Sequence, residues 1–338
     1  MTMNNLLFLI LLLAYTSLAS TVFIDNFNNN PNSYNPDAGT GTWQYLALPN
    51  YILNSVNTTH QGSRVELSTD LGAQVYPRDT LSAFANTNPF VAASGFPFEP
   101  VSVESGEIIS MEYTASVKTE SSSNPLSFVG VSDDDMRRGH FEMLMVDVEN
   151  GQFYGFFVSG TEVYIAQDSS SAFGTNVNTW TSVKLVKTKS PEDINSYRIE
   201  LNRDAQTVSW YFDDELEATA NTSVSTFGFI RLVNDATTPP PYNFVHQNLY
   251  PAMANIYKAD FLNPRPDSMD NRAMFPLHTD TSELLIPAPG DYLINDLTCF
   301  KPDNTIATDP TIPARCPLFE GVKVTATVLK LKVDVRSA

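Results

Sequence analysis

Charge, cysteine and long apolar runs are all scarce in this chain of 338 residues, and each scarcity excludes a class of protein. Charged residues make up only 17% of the sequence, with 20 Lys and Arg against 38 Asp and Glu, which gives a formal net charge of -18. A chain this acidic has no sequence-wide basic surface, so we expect neither nucleic acid nor an anionic membrane as a partner. Aromatic residues reach 11%, which is too many for an intrinsically disordered chain.

A short apolar run near the N-terminus indicates a secretory signal. The nine residues from Leu6 to Ala14 are too few to span a bilayer, which takes roughly 20 apolar residues. Ser17 and Ala19 provide small side chains at the two positions that a signal peptidase reads. We therefore predict that residues 1–19 are removed and that the mature protein, which begins at Ser20, is secreted and extracellular.

The only two cysteines, Cys299 and Cys316, lie in one proline-rich stretch near the C-terminus. In an oxidising compartment we expect one disulfide bond between them. The alternatives are a metal pair and a nucleophilic cysteine, but neither cysteine has a histidine or a second cysteine at ligand spacing. Asn57 and Asn221 each begin an Asn-x-Ser/Thr sequence, which predicts N-glycosylation in a eukaryotic secretory route.

Apolar residues alternate with a period of two along most of the chain, which predicts short strands separated by turns. Within Glu107–Val117, for example, Ile109, Met111 and Tyr113 point to one side. The inward register changes after Val328 in the last predicted strand, which indicates either a β-bulge or a strand that changes sheets. The main predicted strands are Glu107–Val117, Phe141–Val148, Phe153–Val158, Glu162–Ala166, Trp180–Val186, Tyr197–Leu201, Thr207–Phe212, Thr226–Val233 and Val322–Val335. Such a pattern favours an all-β sandwich or barrel.

Two segments resemble a known fold family. The hairpin from Tyr197 to Glu217 is similar to a tryptophan-containing hairpin of concanavalin-A-like lectins and glucanases. Residues 35–262 are similar to an uncharacterised family of concanavalin-A-like domains, and they match its pattern at Asp135, Arg137, Gly139, Asp147, Glu149 and Gly151. The resemblance implies a concanavalin-A-like β-sandwich of the jelly-roll type. It implies no reaction, because that family has none established and a fold does not fix a function.

A change of composition around residues 263–266 divides the mature chain. We predict that residues 20–262 form the β-sandwich. Residues 263–338 then form a disulfide-tied C-terminal segment that adds a β extension to it.

The carboxylate spacing of typical glucanases is absent. Those enzymes carry their carboxylates at alternate positions of one strand, so that all of them lie on one face of the sheet. The nearest candidates here are Glu142, Asp147 and Glu149, and the first two are an odd number of residues apart. They therefore face opposite sides of a regular strand, which favours a binding protein over a glucanase of the usual kind.

Polar residues nevertheless interrupt the apolar central strand, and they mark the predicted site. His140 and Glu142 lie on one face, either as an acid–base couple or as a partnered core pair. The candidate catalytic residues are His140, Glu142 and Glu112, and the candidate ligand-binding residues are Arg137, Tyr113 and Tyr154.

Three consecutive carboxylates precede this strand, at Asp133, Asp134 and Asp135. Carboxylate oxygens are ligands for Ca²⁺, so a calcium site is one interpretation of this turn, and a solvated turn is the other. We expect no other cofactor.

These patterns favour a secreted ligand-binding protein that recognises a carbohydrate. One alternative is a divergent carbohydrate-active enzyme. Another is a non-hydrolytic enzyme that acts on a small apolar molecule in the cleft of the sandwich.

Overall fold

The computed structural model describes thirteen stretches of the chain, and all structural statements refer to them: residues 20–27, 43–45, 57–70, 95–97, 100–122, 132–136, 139–147, 149–150, 152–169, 180–222, 229–231, 246–256 and 322–338. Within these stretches the secondary structure consists of strands alone, and no helix occurs that could cross a membrane. The strands are β1 (Ser20–Asp25), β2 (Trp43–Tyr45), β3 (Asn57–His60), β4 (Val65–Asp70), β5 (Gly95–Pro97), β6 (Val101–Ser102), β7 (Glu107–Ser121), β8 (His140–Asp147), β9 (Gln152–Val158), β10 (Glu162–Ser169), β11 (Trp180–Thr188), β12 (Asn195–Asn202), β13 (Thr207–Phe212), β14 (Glu215–Asn221), β15 (Phe229–Arg231), β16 (Asn248–Ile256) and β17 (Val322–Ser337).

The strands form two antiparallel sheets. The first sheet has the order β14-β13-β12-β7-β17-β4-β3, and β1 also pairs with β17. The second sheet has the order β15-β11-β10-β9-β8-β16-β5-β2, and β6 also pairs with β16. Strands β8 and β9 are joined by a tight connection after Asp147, which pairs with Gln152. The predicted all-β sandwich is therefore confirmed.

Alternation along the strands builds the core between the sheets. On β7, the predicted inward residues Ile109, Met111 and Tyr113 are fully buried. On β8, Phe141, Met143 and Met145 belong to the same buried cluster from the opposite side. The apolar side chains of both sheets thus interdigitate in one layer, as sandwich packing requires.

The last strand of the chain, β17, has neighbours on both edges in the first sheet. β17 pairs with β7 along its whole length, and its other edge pairs with β4 and β1. The predicted bulge is present, between Val328 and Lys330, and it keeps both halves of the strand facing the core. The sequence analysis assigned this strand to the C-terminal segment that extends the sandwich, and in the structure it is a central strand of the first sheet. The predicted boundary at residues 263–266 lies outside the described residues.

Candidate functional site

Strand β8 crosses the middle of the second sheet and separates two environments. Its odd-numbered residues from Phe141 to Met145 pack between the sheets. Leu144 and Val146 belong to a second apolar cluster, on the face of this sheet that points away from the first sheet. We call it the outer face. Its neighbours in the cluster come from β9, β10, β11 and β16, together with Met136 in the turn before β8.

His140 and Glu142 form a buried pair on the outer face. The His140 Nε2 atom lies 3.0 Å from Oε1 of Glu142, and Nδ1 lies 2.9 Å from the backbone oxygen of Met136. The imidazole also stacks on the ring of Phe157, with 4.8 Å between the ring centroids. The exposed fraction is 0% for His140 and 3% for Glu142, so the two predicted residues are brought together but closed off from solvent.

A second buried histidine, which the sequence analysis did not single out, lies at the other end of β8. The Nδ1 atom of His246 lies 2.6 Å from Oδ2 of Asp147, and its Nε2 lies 3.0 Å from the hydroxyl of Tyr154. Asp147 also accepts hydrogen bonds from the backbone and side-chain nitrogens of Asn150. Burial, and then the charge of Asp147, raise the pKa of Tyr154 well above its usual value. The contacts of His246 with Asp147 and Tyr154 therefore link β8, β9 and the residues before β16.

Asp147 and Glu142 face opposite sides of β8, as the odd spacing between them predicts. Asp147 contacts His246, whose other ring nitrogen faces Tyr154 in the core between the sheets, whereas Glu142 contacts His140 on the outer face. The two carboxylates therefore cannot act on one ligand from one face of the sheet.

The outer face changes in character along β8. At the level of Glu142, the neighbouring residues on β9 and β10 are Phe157 and Tyr164. At the level of Leu144, the neighbours are small, namely Ala252, Gly155 and Ala166. At the level of Val146, the neighbours are aromatic again, with Tyr250 on β16 and Phe153 on β9. A floor of small residues thus separates two aromatic levels.

Among the residues whose side chains the structure describes, Phe153 and Tyr250 are the aromatic residues of this face that remain partly exposed. They flank Val146 from opposite sides, so their backbones are two strand spacings, roughly 10 Å, apart. We call these two residues the aromatic platform. Beside it, Asn248 donates a hydrogen bond to Glu149 and accepts one from Ser102. The sequence signal for the platform was available, since Phe153 and Tyr154 are adjacent and only one of them can face inward.

Three predicted site residues lie elsewhere. Glu112 is on β7, in the first sheet, on the side away from the core. Its register partners on the two neighbouring strands are Arg198 and Lys332. It therefore does not approach Glu142, because the sandwich core lies between them. Tyr113 and Tyr154 are fully buried in that core, so neither contacts a ligand on the outer face.

Other predicted residues are only partly described. Arg137, Cys299 and Cys316 lie outside the described residues. The backbone of Asn57 is paired with Ser68 in β3, and Asn221 is exposed at the end of β14.

The three consecutive carboxylates do not converge. Asp133 is exposed, Asp134 accepts a hydrogen bond from Thr161, and Asp135 is buried. No group of three or more His, Cys, Asp or Glu side chains that could hold a metal ion occurs in the described stretches. A calcium site stays one interpretation of this turn, beside a solvated turn.

Comparisons with known proteins give a family and a likeness of fold. The model of a family of unknown function, DUF6081, matches residues 33–230. No curated protein matches the chain.

Solved structures similar to this chain include several carbohydrate-related proteins. An endo-acting O-glycanase of the human gut microbiota, described as initiating mucin breakdown, is 12% identical, with a TM-score of 0.43, and the match covers 94% of this chain and 100% of that one. The carbohydrate recognition domain of Emp47p is 7% identical, with a TM-score of 0.39 and coverage of 94% and 97%. The kappa-carrageenase of Pseudoalteromonas carrageenovora is 8% identical, with a TM-score of 0.43 and coverage of 95% and 97%. Similarities this distant carry no argument about activity.

Proposed function

Because the chain belongs to DUF6081, a family of unknown function, its family assigns no activity, and we propose from the site that it is a secreted carbohydrate-recognising protein. The observation that carries the proposal is the aromatic platform. Phe153 and Tyr250 present partly exposed rings on one sheet face, on either side of the buried Val146. A ligand with a flat apolar face can lie across both rings.

Polar groups at the edge of the platform support a sugar rather than a purely apolar ligand. Binding sites combine an apolar wall with a few polar groups that fix orientation. Asn248 and Glu149 supply an amide and a carboxylate beside the rings, already held to each other at 3.0 Å. The net charge of -18 disfavours a polyanionic glycan, so we expect an uncharged oligosaccharide. Arg137, just before β8, remains a proposed ligand contact.

The floor of small residues limits where the ligand can lie. Ala252, Gly155 and Ala166 lie next to the platform, toward Glu142. These residues are buried, with an exposed fraction of 1% for both Ala252 and Ala166, so the ligand contacts the platform and its polar edge rather than the floor. Because His140 and Glu142 are buried, we assign this pair a structural role at the end of the floor that lies away from the platform. The same burial argues against the alternative in which Glu142 is a hydrolytic carboxylate, because a substrate oxygen must reach such a group.

Secretion is part of the proposal. Ser20, the residue that follows the proposed cleavage position, lies in β1. Its hydroxyl donates a hydrogen bond to the backbone oxygen of Val335, which holds the proposed mature N-terminus in the first sheet. A disulfide between Cys299 and Cys316 fits the same compartment.

The test is a glycan array of neutral, acidic and sulfated oligosaccharides, read with wild type, Phe153→Ala and Tyr250→Ala. The matched control is Tyr211→Ala, since Tyr211 is a partly exposed tyrosine on the first sheet, under the guanidinium of Arg198 at 4.0 Å. We expect wild type and the control to bind the same neutral glycans. Each platform variant should lose about tenfold in affinity, as expected for an aromatic contact worth about 1.4 kcal/mol. Binding that survives both platform variants contradicts the proposed site, and an array without any bound glycan contradicts the proposed function.

A further inference from the structure

The two N-glycosylation sequences of the chain both lie on the first sheet. Asn57 is the first residue of β3, and Asn221 is the last residue of β14. The order of that sheet begins with β14 and ends with β3, so the two sequences lie on the strands at its opposite ends. A glycan attached to either asparagine is therefore at an edge of the first sheet.

The end strands of a sheet present a row of backbone N–H and C=O groups that have no partner strand. Such a row can pair with a strand of another molecule, and folded proteins block it with charged side chains, prolines or β-bulges. In the described stretches, β14 pairs with β13 alone, β3 with β4 alone and β1 with β17 alone. These three strands are the open edges of the first sheet in the part of the chain that the structure describes.

Two of the open edges have features that block pairing. The register of β14 shifts opposite Trp210 and Tyr211, and the strand carries two glutamates. The register of β1 shifts between Thr21 and Phe23. A bulge twists an edge away from a flat partner, and like charges repel a second copy of the same strand.

Strand β3 has neither feature. Its four residues include no lysine, arginine, aspartate, glutamate or proline, and two of them are threonines, which favour strands. Its register with β4 runs without a shift from Asn57, opposite Ser68, to His60, opposite Val65. Thr59 is exposed, and residues 57 and 59 lie on the same side of the strand because alternate positions share a face. The strand is thus a regular edge that is uncharged at neutral pH.

We propose that a glycan on Asn57 blocks the β3 edge and prevents the secreted protein from pairing with a second copy of itself through this strand. Without the glycan, β3 of one copy pairs antiparallel with β3 of the other about a two-fold axis, and the two first sheets join. An N-linked glycan is bulky and solubilising, so it occupies the space that the second strand needs. The proposal rests on the secretion in the proposed function, by a eukaryotic route, and not on the aromatic platform.

The glycan on Asn221 has no such role in the proposal. Asn221 is exposed at the end of β14, so the folded chain has room for a glycan there. Without that glycan, β14 still has its bulge and its two glutamates. Loss of the Asn221 sequence should therefore leave the protein monomeric, and Ser223→Ala, which removes this sequence, is the matched control.

The test uses substitutions of Thr59, because this exposed residue completes the Asn57 sequence and lies on the same edge. Thr59→Ser keeps the glycosylation sequence, and Thr59→Ala removes it. Thr59→Lys also removes it but adds a positive charge to the edge. Each full-length chain is secreted from a eukaryotic host cell. Light scattering after size-exclusion chromatography gives the molar mass, and mass spectrometry gives the glycan occupancy of Asn57.

We expect wild type and Thr59→Ser to carry the glycan on Asn57 and to be monomeric. Thr59→Ala should have about twice the polypeptide mass of the monomer, as expected for a two-fold dimer. Thr59→Lys should be monomeric without the glycan, since the lysines of two copies would repel each other across the paired edge. Ser223→Ala should be monomeric as well.

A monomeric Thr59→Ala variant at the same protein concentration overturns the proposal, and so does a monomeric wild type that carries no glycan on Asn57. Equal association of Thr59→Lys and Thr59→Ala also overturns it, because loss of the glycan would then act through folding rather than through the edge. Molar mass and occupancy are measured without any ligand. An array without bound glycan therefore contradicts carbohydrate recognition and leaves the result at Thr59 unchanged.

Discussion

The hydroxyl of Tyr113, on the first sheet, lies 2.5 Å from the backbone oxygen of Leu144, on the second sheet. The same hydroxyl accepts a hydrogen bond from the backbone nitrogen of Ala252 at 3.0 Å. It therefore makes hydrogen bonds to both a carbonyl group of β8 and an N–H group of β16, on the core side of the floor of small residues. Burial raises the pKa of Tyr113, so the hydroxyl stays protonated and can donate.

Tyr113→Phe should destabilise the sandwich by about 1–3 kcal/mol, because two buried backbone groups lose their partner. The matched control is Tyr197→Phe, since the buried hydroxyl of Tyr197 finds no hydrogen-bond partner among the described residues. Its removal should change the free energy of unfolding little or raise it. Urea denaturation of both variants measures the difference, and equal losses would contradict this assignment.

Gly155→Ala should also destabilise the fold, by about 1–3 kcal/mol, because an additional methyl group has no room. A Cβ at this position would collide with Cδ2 of Leu144 and lie 2.9 Å from the backbone oxygen of Met143. The carbonyl oxygen cannot move aside without distorting β8. Gly160→Ala is the control, since its nearest contact would be 3.2 Å, to the backbone nitrogen of Thr119. A smaller loss in Gly155→Ala than in this control would show that the floor can adjust.

Much of the fold follows from local sequence. The observed β13, Thr207–Phe212, has the bounds that alternation predicts. The bulge after Val328 follows from a change of apolar register within one strand. The turn at Asp213 and Asp214 adopts positive φ angles of 47° and 65°, in keeping with the tolerance of Asp for that conformation. Each of these features depends on residues that are neighbours in the chain.

The site depends on contacts that local patterns do not encode. His246 is 99 residues from Asp147, and no periodicity links them. The sequence predicted which side of β7 Tyr113 faces, yet that side proved to be the core rather than a ligand surface. Likewise, β17 lies between β7 and β4, and both of these strands are far from it in the chain. Long-range pairing decides these positions.

The mature N-terminus should be Ser20. In β1, the hydroxyl of Thr21 donates a hydrogen bond to Asp334 at 2.6 Å, so the strand is anchored to β17 from its second residue. Ser17 and Ala19 precede Ser20 as small side chains at the two positions that a signal peptidase reads. Mass spectrometry of the N-terminal peptide of the secreted protein measures the cleavage position. Recovery of Met1 from the culture medium would contradict it.

Lys189 should make stability rise with pH above neutrality. Its ammonium group donates to the backbone oxygens of Val117 and Gly160, at 2.8 and 3.0 Å. Burial lowers the pKa of Lys189 to about 8, although the negative charges of Asp193 and Asp134 act in the opposite direction and raise it. Between about pH 8 and 10.4, the unfolded chain therefore holds a proton on this lysine that the folded chain has released.

An unfolded state that binds more protons becomes less favourable as the pH rises, so the free energy of unfolding increases across this window. Lys189→Met removes the titrating group and keeps the length of the side chain. We expect wild type to gain on the order of 1 kcal/mol relative to this variant from pH 7.5 to 10, since solvent partly screens the half-buried amine. Denaturation of both proteins at each pH cancels the titration of the other lysines and tyrosines. A difference that stays constant, or shrinks, as the pH rises would mean that the carbonyl oxygens hold Lys189 charged throughout.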